Sequence, residues 1–265
     1  MASNYYNEIG TYFNNDSCSY EERYWANSLI QKMRQSFREE VKRYPGTLML
    51  EIGCGIGLDL VHFSKTHPER KIYGIDVSSE MIRLSKDKIT NEKCTNVEIA
   101  QGSNEEIESL FPSKKFDIIY IFFGALNTVE NFQFAAEKVQ DLLAPGGTIV
   151  LTVVNKWYIS GMVIDLLRLR FKKAFSRLKP VWGGYSPDHY LPSHCYSPRQ
   201  VEKVFAKMKI MKRKGYCLIH PAWYFTKINQ TLGERISNLL WKTDILLNKT
   251  FLWRFGEYTL FVMQN

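Results

Sequence analysis

Short apolar runs alternate with amphipathic segments along most of this 265-residue chain. The apolar runs predict strands near 47–52, 71–76, 96–100, 116–122 and 147–154. The segments between them carry apolar residues at helical spacing and predict helices near 58–66, 79–90, 104–110 and 131–143. Strands that alternate with helices form a parallel sheet with right-handed crossovers, so the pattern predicts an α/β fold.

Both ends of the chain extend this pattern. Residues 20–43 are predicted to form one helix, because a single apolar stripe recurs every four residues, at Trp25, Leu29, Met33 and Phe37. Two further strands are predicted near the C-terminus, at 208–217 and 256–263. The sheet is therefore expected to have seven strands.

The first strand ends in an acidic residue and a turn of alternating glycines. The sequence from Leu48 to Gly57 reads LMLEIGCGIG, and the second strand ends at Asp76, 19 residues beyond Gly57. Glycines let a ligand approach the backbone closely, and a carboxylate can accept hydrogen bonds from both hydroxyls of a ribose. The arrangement predicts the nucleoside-binding half of a doubly wound sheet.

The spacing of the glycines bears on which nucleoside binds. A dinucleotide fingerprint reads Gly-x-Gly-x-x-Gly and places a helix N-terminus against a pyrophosphate. Here the third glycine, Gly57, comes one residue early, and Glu51 precedes the turn. That carboxylate would disfavour a pyrophosphate but would tolerate an ammonium or a sulfonium group.

Residues 51–57 together with Asp76 resemble motif I and the acidic loop of the class I S-adenosylmethionine-dependent methyltransferases. Residues 116–127 resemble the fourth strand of that family, which ends beside the transferable methyl group. Residues 142–151 resemble its Pro-Gly-Gly turn and fifth strand. The resemblance implies a Rossmann-like, doubly wound, seven-stranded sheet whose last strand is antiparallel and inserted between strands five and six, with helical cap insertions.

By this resemblance the cofactor is S-adenosyl-L-methionine, with its ribose on Asp76 and its methionine part against the glycine turn. Ser103 takes the place of an acidic residue that reads the adenine in many relatives. The N-terminal segment 6–14 resembles a lead-in whose first aromatic residue closes over the cofactor; an ordinary helix packed on the sheet is the equal alternative. The cofactor-binding residues are predicted to be Tyr6, Glu51, Gly53, Cys54, Gly55, Gly57, Asp76, Val77, Met81, Ser103, Asn104, Phe122 and Phe123.

The composition predicts a single methyltransferase domain over 1–265, with N-terminal cap helices at 1–46, a cofactor-binding core at 47–155 and substrate-cap insertions at 156–196 and 221–255. The five cysteines are scattered without Cys-x-x-Cys spacing, which predicts reduced thiols and no metal site. The sequence shows no run of 18 apolar residues and no signal-like N-terminus, so a cytoplasmic protein is expected.

Charge differs between the two halves of the chain. Residues 1–156 hold 17 Lys and Arg against 21 Asp and Glu, whereas residues 157–265 hold 18 against 6. The basic half indicates an anionic partner, such as lipid headgroups, an anionic substrate or nucleic acid, or else simply a solvated surface.

The first insertion contains a predicted basic amphipathic helix over 158–178, whose apolar stripe comprises Val163, Leu167, Phe171, Ala174 and Leu178. Such a helix either closes a substrate pocket or lies on a membrane surface, and the pocket was the favoured interpretation. The second insertion is rich in aromatic residues between Trp223 and Trp253, and is predicted to pack on the first around an apolar cavity.

A hydroxyl acceptor would benefit from a general base, most often histidine. His189 and His194 follow the fifth strand, in a segment that borders the substrate in the family, and are the predicted catalytic residues; a structural role is the alternative for each.

The leading prediction is methyl transfer to oxygen, nitrogen or carbon of a small apolar or lipid-like acceptor. RNA or tRNA methylation is an alternative suggested only by the basic charge, without an RNA-binding motif to support it. A non-catalytic cofactor-binding subunit is a third. Monomers and oligomers are both compatible with these features.

Overall fold

A computed structural model describes residues 4–183 and 190–265. The strands are β1 (Leu48–Ile52), β2 (Lys71–Asp76), β3 (Val97–Gln101), β4 (Phe116–Ile121), β5 (Leu143–Val154), β6 (Lys209–Tyr216) and β7 (Tyr258–Gln264). The helices are α1 (Asn4–Trp25), α2 (Ser28–Val41), α3 (Leu58–Thr66), α4 (Ser79–Asn91), α5 (Ile107–Leu110), α6 (Phe132–Asp141), α7 (Ile159–Leu167), α8 (Phe171–Ala174), α9 (Pro198–Val204) and α10 (Thr226–Leu247). Short 3₁₀ helices span Ala125–Thr128, Ser176–Leu178 and Phe251–Phe255.

The seven strands form one sheet in the order β3-β2-β1-β4-β5-β7-β6. β1 to β5 are parallel, and β7 runs antiparallel between β5 and β6. This confirms the predicted doubly wound sheet with an antiparallel last strand. The chain leaves β1 towards β2 on one side and later enters β4 on the other, so a crevice opens at the carboxyl ends of β1 and β4.

The central strands are buried on both faces. Along β1, Met49 belongs to the apolar layer on one side of the sheet and Leu50 to the layer on the other. Their neighbours on β4, Ile118 and Ile119, divide in the same way. Strands covered on both faces read as continuous apolar runs, which explains why they were visible in the sequence.

The predicted helix over 20–43 is two helices. α1 ends at Trp25, and α2 begins after Asn27, whose side chain accepts a hydrogen bond from the Ile30 backbone N–H at 3.2 Å. Asparagine favours this N-cap position, so the break has a local cause. The predicted apolar stripe is buried on α2, at Met33 and Phe37, whereas Trp25 at the end of α1 is 60% exposed.

The predicted helix over 158–178 is also interrupted. α7 ends at Leu167, Leu169 adopts a left-handed φ of +58°, and the Arg170 N–H donates to the Asp165 carbonyl at 2.8 Å. The short α8 follows. Neither glycine nor proline marks this break, so periodicity alone could not locate it.

Gly57 supports the turn between β1 and α3. Its φ is +79°, and a Cβ at this position would collide with the Ser85 hydroxyl oxygen on α4. We expect Gly57→Ala to lower the free energy of unfolding by about 2 kcal/mol, from left-handed strain and the displaced α4. Urea unfolding checks this, with Gly146→Ala as the matched control: Gly146 has a φ of +73° and open space around its Cβ position. Equal losses in the two variants would contradict the steric part of the argument.

Candidate functional site

A cavity of about 620 Å³ opens at the carboxyl edge of the sheet, where the strand order reverses. Its volume is in the range of small-molecule sites. One group of lining residues, the nucleoside group, follows β1, β2 and β3: Gly53, Gly55, Asp76, Val77, Met81, Gly102 and Asn104. A second, the aromatic group, comes from α1, the segment after β4, residues 223–224 and β7: Tyr12, Phe13, Tyr20, Tyr24, Phe123, Trp223, Tyr224 and Tyr258.

Asp76 is held at the end of β2 by backbone donors. One carboxylate oxygen accepts from the Gly55 N–H at 2.8 Å, and the other accepts from the Ser78 N–H at 2.9 Å. A carboxylate has about four acceptor sites, so both oxygens can accept further bonds. Burial raises the pKa of Asp76, although these backbone donors oppose the shift.

The first turns of α1 close one side of the cavity. The Tyr6 hydroxyl donates to Asn104 Oδ1 at 3.2 Å and to Glu105 Oε1 at 2.9 Å. Asn104 lines the cavity, and its buried Nδ2 donor has no hydrogen-bond partner in the described part of the chain. An unpaired buried donor is costly, so this amide suits a ligand acceptor. Tyr6 and Asn104 therefore lie together at the cavity.

The adjacent Ser103 is turned away from this cavity. Its hydroxyl and its backbone N–H both bond to Glu106 Oε2, at 3.0 and 2.9 Å. Ser103 does not line the cavity, and neither does Gly57. The structure thus does not bring these two predicted residues to the cavity, whereas Asn104, the neighbour of Ser103, does line it.

Glu51 and Cys54 lie beside a smaller cavity of about 30 Å³ that shares Arg34, Gly53 and Gly55 with the larger one. Glu51 is buried, and its Oε2 has no hydrogen-bond partner among residues 4–183 and 190–265. Burial and the nearby Asp59 carboxylate raise the pKa of Glu51 well above its usual range, while Arg34 opposes the shift. The unpaired oxygen suits a cationic donor such as an ammonium group.

Arg34 was not predicted from the sequence. It is buried on α2, pairs with Asp59, and lies over the rings of Phe123 at 4.6 Å and Tyr24 at 5.0 Å. Its Nε finds no hydrogen-bond partner among the residues that the structure describes, and Arg34 lines both cavities. Burial lowers the pKa of Arg34, but the Asp59 carboxylate opposes this effect and the net shift is upward. The guanidinium therefore stays charged beside the cavity.

Tyr224 connects the cavity wall to a buried ion pair. Arg177 bonds to Glu257 at 2.7 Å and donates to the Tyr224 hydroxyl at 3.1 Å and to the Asn155 carbonyl at 3.0 Å. This contact fixes the chain after α8 against the ends of β5 and β7.

Neither His194 nor the predicted helix over 158–178 lies at the cavity. His194 does not line it; its Nδ1 lies 2.7 Å from the Pro180 carbonyl and its ring stacks on Tyr196. His189 lies outside the described residues. None of residues 158–178 lines the cavity, and Leu167 is 80% exposed, so the prediction that this apolar stripe covers the pocket is wrong. Phe122 and Phe123 do line it.

Residues 4–183 and 190–265 contain no group of three or more His, Cys, Asp or Glu side chains arranged to hold a metal. Across the same ranges, no helix has the length and apolarity needed to cross a membrane.

A family model described as a methyltransferase domain matches residues 44–184. The chain therefore belongs to the methyltransferase domain family, and with the fold this makes it a class I S-adenosylmethionine-dependent methyltransferase.

An uncharacterized protein of Methanocaldococcus jannaschii is 26% identical over 262 residues, covering 97% of this chain and 90% of the relative. Demethylmenaquinone methyltransferase of Listeria monocytogenes serotype 4a is 27% identical over 170 residues, covering 62% of this chain and 68% of the relative. A crystal structure of an S-adenosylmethionine-dependent methyltransferase from Mesorhizobium loti superimposes with a TM-score of 0.55 at 14% identity, covering 87% of this chain and 96% of that one. The structural likeness shows the shared fold.

Proposed function

We propose that this chain binds S-adenosyl-L-methionine across the nucleoside group and transfers its methyl group to a small apolar acceptor held by the aromatic group. The observation that carries the proposal is the continuity of the cavity: Asp76 and Asn104 line it together with Phe13 and Trp223. A polar nucleoside and an apolar molecule would thus share one space.

The residues present fit the cofactor. Asp76 has acceptor sites for the two ribose hydroxyls, and the unpaired Asn104 Nδ2 can donate to a ring nitrogen of adenine. A Cβ at Gly55 would meet no protein atom within 4 Å, so the glycine leaves room on the cavity side. Gly53, Val77 and Met81 complete this part of the wall.

The methionine part of the cofactor carries an ammonium and a carboxylate. We assign the ammonium to the unpaired oxygen of Glu51 and the carboxylate to the guanidinium of Arg34. Arg34 then faces an opposite charge, and an ammonium beside Glu51 would favour the ionised carboxylate despite its raised pKa. Charge-assisted hydrogen bonds are among the strongest available to a protein. The paired assignment gives a role to Glu51, the acidic residue next to the end of β1.

The bound cofactor would supply a methyl group already activated by its sulfonium. The protein's task is then mainly to hold the acceptor at attack distance. Burial raises the pKa of Tyr20, Tyr224 and Tyr258, so these phenols stay neutral. They are suited to orienting an acceptor rather than removing its proton. We infer transfer by positioning, in which the proton of a hydroxyl acceptor passes to water.

We infer an apolar acceptor from the aromatic side chains that line the cavity. The aromatic group contributes large ring faces, and burying an apolar ligand against them is favourable. The name of the Listeria relative, demethylmenaquinone methyltransferase, agrees with an apolar aromatic acceptor.

Phe13 gives a test of the acceptor assignment. It lines the cavity from α1, and we expect Phe13→Ala to raise the KM for an apolar acceptor about tenfold or more while leaving cofactor affinity unchanged. Formation of S-adenosyl-L-homocysteine is measured with hydroquinones and alkylphenols as acceptors. Phe134→Ala on α6 is the matched control, since Phe134 is 40% exposed and does not line the cavity. Turnover of RNA with no turnover of any apolar acceptor would refute the proposal.

A further inference from the structure

The segment from α7 to the residues after α8 exposes large apolar side chains. Leu167 is 80% exposed, Leu169 is 77% exposed and Phe171 is 58% exposed; Val163 and Phe175 are also exposed. We call these five side chains the apolar patch. Soluble proteins rarely leave so many large apolar groups together in solvent, and such patches mark interaction surfaces.

Basic residues lie between and beside the members of the apolar patch along the chain. Five exposed basic residues lie between or beside its members: Arg168, Arg170, Lys172, Lys173 and Lys179. Residues 166–183 contain no Asp or Glu. Within the described ranges, none of the five cations forms an ion pair with an acidic side chain. Their charge is therefore available to a partner.

The segment has a firm attachment to the rest of the protein. Arg177, the one buried cation in the run, bonds to Glu257 and to the Asn155 carbonyl, and its guanidinium lies over the Trp182 ring at 4.7 Å. Ala174, the last residue of α8, is also buried. The contacts of Arg177 and Ala174 thus hold the backbone that carries the apolar patch against the rest of the protein.

We propose that this segment docks the protein onto a bilayer that contains anionic phospholipid. Leucine and phenylalanine side chains enter the boundary between headgroups and acyl chains, while lysine and arginine extend to the phosphates. Along 167–173 apolar and basic side chains alternate, so the segment supplies both the groups that enter the acyl region and the groups that bind phosphates. RNA binding would use the cations but gives no role to Leu167 and Leu169, because single strands stack on aromatic rings.

Docking would also place the proposed acceptor site close to a lipid phase. Arg177 of this segment donates a hydrogen bond to the hydroxyl of Tyr224, which lines the cavity, so the segment contacts the cavity wall directly. This consequence rests on the proposed function, whereas membrane docking itself does not depend on it.

Sedimentation with vesicles tests the docking. The full chain is mixed with vesicles of phosphatidylcholine alone or of phosphatidylcholine with phosphatidylglycerol, at low and high salt. We expect binding to the anionic vesicles, weakened by salt because exposed charges are screened. Leu167→Ser with Phe171→Ser should reduce that binding about tenfold or more, and Lys172→Glu with Lys173→Glu should do the same.

A matched control uses α10. Leu239 and Leu246 are 63% and 60% exposed, but their helix carries both acidic and basic residues. Leu239→Ser with Leu246→Ser should leave vesicle binding unchanged. Calorimetric titration with S-adenosyl-L-homocysteine should give wild-type affinity in every variant, which separates this proposal from the cofactor assignment.

Three results would overturn the docking proposal. One is equal loss of vesicle binding in the α10 control. Another is no binding to anionic vesicles while RNA binds tightly. The third is that the wild-type protein self-associates, the Leu167→Ser, Phe171→Ser variant is monomeric, and neither protein binds vesicles. The apolar patch would then join two copies of the chain.

Discussion

Replacing Asp76 by alanine is expected to weaken S-adenosyl-L-methionine binding by about 100-fold or more. The variant removes both carboxylate oxygens that we assign to the ribose hydroxyls, and each charge-assisted hydrogen bond contributes at least about 1.5 kcal/mol. It also releases the Gly55 N–H that now donates to Asp76 at 2.8 Å, so the glycine turn loses its support. Isothermal titration calorimetry measures the affinity.

Asp87→Ala is the control for this experiment, because Asp87 is an exposed carboxylate on α4 that pairs only with Arg83 across the described residues. Its affinity should equal that of the wild type. The pH adds a second readout: burial raises the pKa of Asp76, so affinity should be constant above that pKa and fall as pH decreases through it. An affinity unchanged in Asp76→Ala would remove the ribose assignment.

Replacing Arg34 by methionine is expected to weaken S-adenosyl-L-methionine binding 10- to 100-fold. The loss corresponds to one charge-assisted contact of about 1.5–3 kcal/mol with the cofactor carboxylate. Asp59 would keep a cation, since Arg38 Nε lies 2.6 Å from its Oδ1. The variant should therefore fold, although with reduced stability.

Arg38→Met is the matched control, because it removes the other arginine from Asp59 without removing a side chain that lines either cavity. Methylthioadenosine, which has the nucleoside but not the amino acid part, gives the sharper comparison. Its affinity should be the same in wild type and Arg34→Met. Equal weakening by Arg34→Met and Arg38→Met would show that Arg34 acts only through the packing of α2.

Much of the fold was predictable from the sequence because its central strands are buried on both faces. Continuous apolar runs mark such strands without reference to distant residues, and the order of the motifs then fixed the topology. The insertions were harder to predict. The break at Leu169 depends on contacts such as the bond from Arg170 to Asp165, and an exposed stripe has the same periodicity as a buried one.

The site, like the fold, has a part that was predictable from the sequence and a part that was not. Asp76 and the glycine turn come from consecutive strand ends, and short-range motifs describe them. The resemblance to the family implies that Ser103 lies at the ligand, but a serine followed three residues later by glutamate commonly forms a local pair, as Ser103 does with Glu106. Arg34 reaches the site from a separate helix, and the available signal was its place on the same helix face as buried Phe37 and Val41.

A crystal structure of the chain with S-adenosyl-L-homocysteine tests the central claim most directly. The account predicts both ribose hydroxyls within hydrogen-bond distance of Asp76, the adenine beside Asn104 and the amino acid carboxylate on Arg34. It also predicts that the sulfur faces the space enclosed by Phe13, Trp223 and Tyr258. A nucleoside bound away from Asp76, or a sulfur facing solvent with the aromatic group on its far side, would contradict it.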